Sequence, residues 1–85
     1  MNTDEAETLV RACLHEVAPD ADLGALPPDA DLRETLRLDS LDFLQVVELL
    51  SERSRYRIDE DEYPRLATFA ATVAFLTEAP RSQAR

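Results

Sequence analysis

Ser40 offers the clearest chemical opportunity in this chain, because it directly follows Asp39 at the start of an amphipathic segment. In the first turn of a helix, backbone N–H groups lack intrahelical partners and the helix dipole favours negative charge. A serine there could carry a phosphate ester while its side chain points toward solvent. Asp-Ser at a helix start is also ordinary capping, and these two residues alone favour capping.

The other residues that could take part in a reaction or bind a metal give weaker signals. Cys13 is the only cysteine, and its position on the apolar side of a predicted helix indicates a buried apolar residue. The only histidine, His15, lies on the polar side of the same helix without an evident partner. These counts exclude an internal disulfide, a cysteine-based zinc site and a histidine-rich metal site. Ser40 also lacks the Gly-x-Ser-x-Gly elbow of serine hydrolases, so we predict no catalytic residue and no metal ligand.

The composition limits the class of protein and its partners. The chain has 85 residues with 18 Asp and Glu, 9 Arg and no Lys, and its net charge is −9. An acidic chain is repelled by nucleic acid and by anionic membranes, so we expect neither as a partner and favour proteins with basic surfaces. We see no signal peptide and no apolar stretch long enough to span a membrane. We therefore expect a cytoplasmic monomer.

The hydrophobic pattern predicts an all-α fold. Apolar residues at helical spacing predict helices over 4–18, 40–54 and 68–78, with Thr3, Asp39 and Thr68 as N-caps. A short helical turn is expected over 59–63, started by Asp59 and stopped by Tyr63-Pro64. The stretch 19–38 is expected to be a loop packed along the core that could include a helical turn at 32–36. One domain would span 1–85, with a core of about 4–78 and a flexible tail of about 80–85.

The predicted helix 40–54 has apolar residues on two faces. Leu41 and Leu49 fall among acidic residues, where they indicate either a docking surface or ordinary exposed leucines. In the last helix, Phe75 points away from the core stripe and has no evident neighbour. Five residues form one continuous arc that we expect to face the core: Phe43, Leu44, Val46, Val47 and Leu50.

The segment 36–41 (LRLDSL) resembles the marker of the acyl carrier protein family, which includes the related peptidyl carrier domains. In that family Asp-Ser-Leu opens the second of four helices. The apolar rhythm of helix 40–54, the acidic residues after Ile58 and the pair Thr68-Phe69 also agree, so the resemblance covers about residues 4–78. It implies a small four-helix bundle with a long loop between helices one and two and a short third helix.

The resemblance implies that Ser40 carries a 4'-phosphopantetheine arm, delivered from coenzyme A by a separate phosphopantetheinyl transferase. Asp39 would support this attachment. The arm would hold acyl groups as thioesters for acyl-loading and acyl-processing enzymes of a fatty-acid, polyketide or specialised pathway. The protein would then be a free-standing carrier and not an enzyme. A peptidyl or aminoacyl carrier and an unmodified helical interaction module are the alternatives.

The exposed face beside Ser40 is expected to dock basic patches of partner enzymes. The candidate docking residues are Arg37, Leu41, Asp42, Gln45, Glu48, Leu49 and Glu52. Two features depart from the family pattern. Arg37 stands where the family usually has a glycine, and the end of the helix, often acidic in fatty-acid carriers, here has arginines at 53, 55 and 57. We interpret these arginines as a hint of a specialised carrier, against the alternative that carrier surfaces drift.

Overall fold

A computed structural model describes the backbone of residues 1–83 and the side chains of residues 1–78. Over this range the fold is all-α, which confirms the predicted class, and its β structure is limited to an isolated bridge between Asp31 and Thr68. Two 3-10 segments lie at Leu23–Ala25 and Glu60–Leu66. The α-helices are α1 (Thr3–Val17), α2 (Leu32–Leu36), α3 (Ser40–Ser54) and α4 (Phe69–Gln83).

Helix α1 begins one residue earlier than predicted because Asn2, and not Thr3, is its N-cap. The backbone N–H of Glu5 donates to Asn2 Oδ1 at 2.8 Å, and the backbone N–H of Asn2 donates to Glu5 Oε1 at 3.0 Å. This reciprocal pair satisfies two donors that the helix itself cannot satisfy. The helix ends at Val17, because the residue before Pro19 is pushed out of the helical region.

The core lies where α1, α3 and α4 meet. Cys13 is fully buried there, and burial raises the pKa of its thiol, against a smaller lowering by the nearby Arg53. Thr72 is the buried polar residue of α4, and its hydroxyl donates to the Thr68 carbonyl at 2.8 Å. The fully buried side chains of largest volume are Leu14, Leu32, Leu50, Leu66, Leu76, Val10, Thr72 and Cys13.

Three apolar side chains differ from their predicted placement. Leu44 was expected in the core but is 39% exposed, whereas Leu49 was expected outside and is partly buried against the core. On a helical wheel each lies about 60° beyond the buried arc of α3, on opposite edges, so neighbouring elements decide which edge is covered. Phe75 is only 4% exposed. Its ring is covered by Arg65, whose guanidinium carbon lies 4.9 Å from the ring centroid.

The expected short third helix is the 3-10 segment Glu60–Leu66, which begins after Asp59 as predicted. The expected stop at Tyr63-Pro64 is wrong, because Pro64 lies inside the segment. Tyr63 packs edge-on against Phe43, with the ring centroids 5.8 Å apart. This packing holds the segment against α3. The segment therefore continues through Pro64, although a proline has no backbone N–H to donate.

The long loop between α1 and α3 packs along the core, as predicted, and contains α2. The backbone N–H of Leu32 donates to the Ala67 carbonyl, and the N–H of Ala70 donates to the Pro28 carbonyl, both at 2.8 Å. Leu23 and Leu26 pack against the core from the same loop. These contacts fix the start of α2 to the start of α4.

Helix α4 is capped by Thr68 as predicted, because Thr68 Oγ1 accepts the backbone N–H of Ala71 at 3.0 Å. The helix continues past the predicted end at 78 to Gln83. The flexibility expected of residues 80–85 stays a prediction, since the side chains of 79–83 and all of 84–85 lie outside the described part. Within residues 1–83, the helices lack the combination of length and apolarity that a membrane crossing requires.

Leu50→Ala should lower the free energy of unfolding by about 2–5 kcal/mol, since Leu50 is 1% exposed and its truncation leaves a cavity. Leu41→Ala is the matched control on the same helix, where the side chain is 75% exposed. It should change stability by less than about 0.5 kcal/mol. Urea unfolding of both variants measures the difference, and equal losses would contradict the burial of Leu50.

Candidate functional site

A tight connection between α2 and α3 positions Ser40. Helix α2 ends at Arg37 in the left-handed region, with φ 57° and ψ 42°. The backbone N–H groups of Arg37 and Leu38 both donate to the carbonyl of Arg33, which closes the turn. Leu38 is buried in the core and anchors the connection. The chain therefore enters α3 in a fixed direction, with Ser40 as the first helical residue.

A capping box fixes the start of α3, with Asp39 as the N-cap that the sequence predicted. The backbone N–H of Asp42 donates to Asp39 Oδ1 at 2.8 Å, and the N–H of Asp39 donates to Asp42 Oδ2 at 3.4 Å. Ser40 lies exposed between these two carboxylates at the positive end of the helix dipole. The helix end favours an added phosphate, whereas the two carboxylates oppose it.

Arg33 is a site residue that the sequence analysis missed. Its Nη2 donates to Ser40 Oγ at 3.3 Å, and its guanidinium carbon lies 5.5 Å from the centroid of the Phe43 ring. Arg33 and Ser40 are seven positions apart with the turn between them, so no helical periodicity relates the two. The available signal was that Arg37 stands where the family usually has glycine, the residue that tolerates the left-handed region, which indicates a tight turn between α2 and α3.

A cleft of 520 Å³ opens beside Ser40, between α3 and the 3-10 segment Glu60–Leu66. Its floor and walls are mostly apolar, and the exposed part of Leu44 belongs to it, which explains why this leucine is not covered. A group attached to Ser40 could therefore rest against apolar surface without entering the packed core. The lining residues are Asp31, Arg33, Ser40, Phe43, Leu44, Glu60, Tyr63, Pro64 and Ala67.

The candidate docking residues differ in how much of each side chain is free. Five of them are exposed: Arg37, Leu41, Gln45, Glu48 and Glu52. Asp42 is partly buried and accepts a hydrogen bond in the capping box. Leu49 packs against the core, so the fully exposed leucine expected there is wrong. The use of this face for docking stays a prediction.

The three arginines at the end of α3 and just beyond it have local roles. Arg53 forms an ion pair with Glu16 of α1, and Arg57 forms one with Asp59 at 3.2 Å. Arg55 ends α3 in the left-handed region, with φ 66°. Two of the three charges are therefore paired within the chain, which weakens the interpretation of these arginines as a surface for a specialised partner.

No cluster of three or more His, Cys, Asp or Glu side chains able to hold a metal occurs in the part of the chain that the structure describes. His15 is exposed on α1, as its position on the polar side predicted. What the arrangement offers chemically is an exposed hydroxyl, that of Ser40, beside a mostly apolar cleft.

A family model described as "phosphopantetheine attachment site" matches residues 8–76. No curated protein matches the chain. The matched span contains Ser40, the turn at Arg37 and every residue that lines the cleft.

Arg37→Gly should be more stable than Arg37→Ala by about 1 kcal/mol, since a Cβ is strained at the observed φ of 57° and glycine is not. Both variants remove the guanidinium, so their difference isolates the backbone. The same pair at Gln45, inside α3, should show the opposite order by about 1 kcal/mol. Chemical denaturation of the four variants measures this, and an alanine preference at position 37 would refute the strained turn.

Proposed function

The chain belongs to the phosphopantetheine attachment site family, and from this membership we propose that Ser40 is its attachment residue. Members of this family carry 4'-phosphopantetheine covalently, so the chain is a carrier domain and not a catalytic one. The observation that supports Ser40 is its exposed hydroxyl at the first residue of α3, beside an open cleft.

The other serines within the matched span are poorly placed for modification. Ser51 is partly buried and donates its hydroxyl to the Tyr56 carbonyl. Ser54 is buried, and its Oγ accepts the backbone N–H of Tyr56 at 3.2 Å. Of the serines in residues 8–76, Ser40 is therefore the one whose hydroxyl a transferase could reach without unfolding a helix.

The role of the chain in attachment is to present a nucleophile. Ser40 Oγ would attack the phosphorus of coenzyme A that bears pantetheine, and the bond from that phosphorus to the adenosine bisphosphate would break. The Ser40 proton would pass to a base of a separate phosphopantetheinyl transferase. Asp39 would support the reaction with Oδ2, since Oδ1 already accepts the capping hydrogen bond. Once attached, the arm supplies a terminal thiol that holds a cargo as a thioester.

The cleft supports an acyl cargo in preference to an aminoacyl or peptidyl one. An acyl chain has few polar groups to satisfy and gains from contact with apolar walls such as Phe43, Leu44 and Pro64. We therefore propose an acyl carrier protein of a fatty-acid, polyketide or specialised acyl pathway. An unmodified interaction module is the alternative if Ser40 is not loaded, and a peptidyl or aminoacyl carrier is the alternative for the cargo.

The surface of α3 supports docking of partner enzymes through its acidic residues. Glu48 and Glu52 are exposed on the same helix as Ser40, and Leu41 adds an apolar spot that is 75% exposed. Such a surface attracts basic patches on acyl-loading and acyl-processing enzymes quickly and reversibly. We propose that the carrier works as a monomer in the cytoplasm and meets each enzyme through this face.

Incubation with coenzyme A, magnesium and a broad-specificity phosphopantetheinyl transferase should add one phosphopantetheine to the parent chain. Ser40→Ala should gain no mass, because it lacks the attacking hydroxyl. Ser51→Ala is the matched control on the same helix and should load like the parent. Intact mass spectrometry reads all three. Loading of Ser40→Ala, or no loading of the parent with several transferases, would refute the assignment.

Glu48→Arg should slow transfer of cargo from an acyl-loading enzyme with a basic docking patch, because it reverses a charge on the exposed face of α3. The melting temperature should stay within about 2 °C of the parent, since an exposed substitution changes little packing. Asp29→Arg makes the same charge change in the long loop and serves as the control. Equal transfer rates for the two variants would argue against docking through Glu48.

A further inference from the structure

Arg33 makes two contacts that hold its guanidinium beside the attachment residue. One nitrogen, Nη2, donates to Ser40 Oγ at 3.3 Å, and the guanidinium carbon lies 5.5 Å from the Phe43 ring centroid. Phe43 is itself buried and is held by Tyr63 at 5.8 Å. The guanidinium therefore packs on a fixed aromatic ring and donates a hydrogen bond to the serine oxygen.

A hydroxyl is a modest acceptor for a full positive charge. Arg33 has no carboxylate within ion-pair distance among residues 1–78, although Asp31 and Glu60 line the same cleft. In a chain of net charge −9, other arginines find acidic partners, as Arg53 does with Glu16 and Arg65 with Glu78. A guanidinium offers five donors in a planar fork, and among residues 1–78 only the donor that reaches Ser40 Oγ has a protein acceptor.

A phosphodiester on Ser40 would change the charge at this point. Its free oxygens would be joined to Ser40 Oγ through the phosphorus alone, so they would fall within reach of the guanidinium that already contacts Oγ. The same oxygens would lie near the carboxylates of Asp39 and Asp42, which repel them. A cation placed beside Oγ offsets that repulsion, and charge-assisted hydrogen bonds are the stronger kind.

We propose that Arg33 is a binding residue for the phosphate of the arm attached to Ser40, and that it sets the direction in which the arm leaves the protein. This inference rests on the proposed attachment at Ser40. Phe43 orients the planar guanidinium so that two of its N–H groups can face the phosphate oxygens. Because Arg33 also lines the cleft, the arm is directed along its apolar wall.

The test compares the apo and loaded forms of four chains: parent, Arg33→Gln, Arg33→Lys and Arg57→Gln. Arg57→Gln removes the same charge from a side chain that is 86% exposed and pairs with Asp59. Intact mass confirms loading before any other reading is taken. The two readings are the shift in melting temperature on loading and the 31P NMR shift of the phosphodiester, compared with free 4'-phosphopantetheine.

In the parent, the phosphorus signal should differ from that of free phosphopantetheine, and in Arg33→Gln it should return to the free value. Loading should lower the melting temperature of Arg33→Gln by about 4–8 °C more than that of the parent, which corresponds to about 1 kcal/mol, the upper range of an exposed charge pair, in a domain of this size. Arg33→Lys keeps the positive charge but lacks the planar pair of N–H donors, so its values should fall between those of the parent and Arg33→Gln. Arg57→Gln should match the parent.

Raising the salt concentration tests the phosphate contact independently and needs no variant. Arg33 is exposed, so about 1 M NaCl should move the parent's phosphorus signal toward the free value by screening the contact. Equal 31P shifts and equal thermal shifts in Arg33→Gln and Arg57→Gln, with loading confirmed in both, would refute the role of Arg33 and leave the attachment at Ser40 intact. No mass gain in the parent would instead refute the attachment, and the phosphate contact with it.

Discussion

The left-handed turn at Arg37 sets the direction in which the chain leaves α2 and enters α3, and the geometry of the site depends on it. The turn closes through two backbone hydrogen bonds to the Arg33 carbonyl, and the burial of Leu38 fixes its depth. The capping box between Asp39 and Asp42 then starts the helix. A turn of another hand would separate α2 from α3 and break the contact of Arg33 with Ser40.

Local signals predicted the part of the site that lies within one stretch of chain. The bounds of α3 and its cap at Asp39 were predictable, because capping depends on residues within one helical turn. The exposure of Leu44 and the burial of Phe75 were not, since the gap beside α3 and the cover from Arg65 come from distant segments. The contact of Arg33 was hidden for the same reason, because it arises from the fold of the turn and not from spacing.

Arginine does a task in this chain that lysine could not do equally well. The three phenylalanines sit at the edges of the core, and each has a guanidinium over its ring: Arg11 over Phe69, Arg33 over Phe43 and Arg65 over Phe75. A planar guanidinium covers an aromatic face and keeps its charge in water. Because Arg11 and Arg65 also pair with acidic residues, much of the basic charge is used locally, and the acidic character of the remaining surface is preserved.

The seclusion of Cys13 has a consequence for the sulfur chemistry of a carrier. Its thiol is enclosed between helices, and burial keeps it protonated at ordinary pH, so it can neither compete for a thioester nor be oxidised onto a neighbour while the fold is intact. A chain loaded at Ser40 would then display a single accessible thiol, that of the arm. Cargo could not migrate from the arm to Cys13, and reagents specific for thiols would report the state of the arm alone.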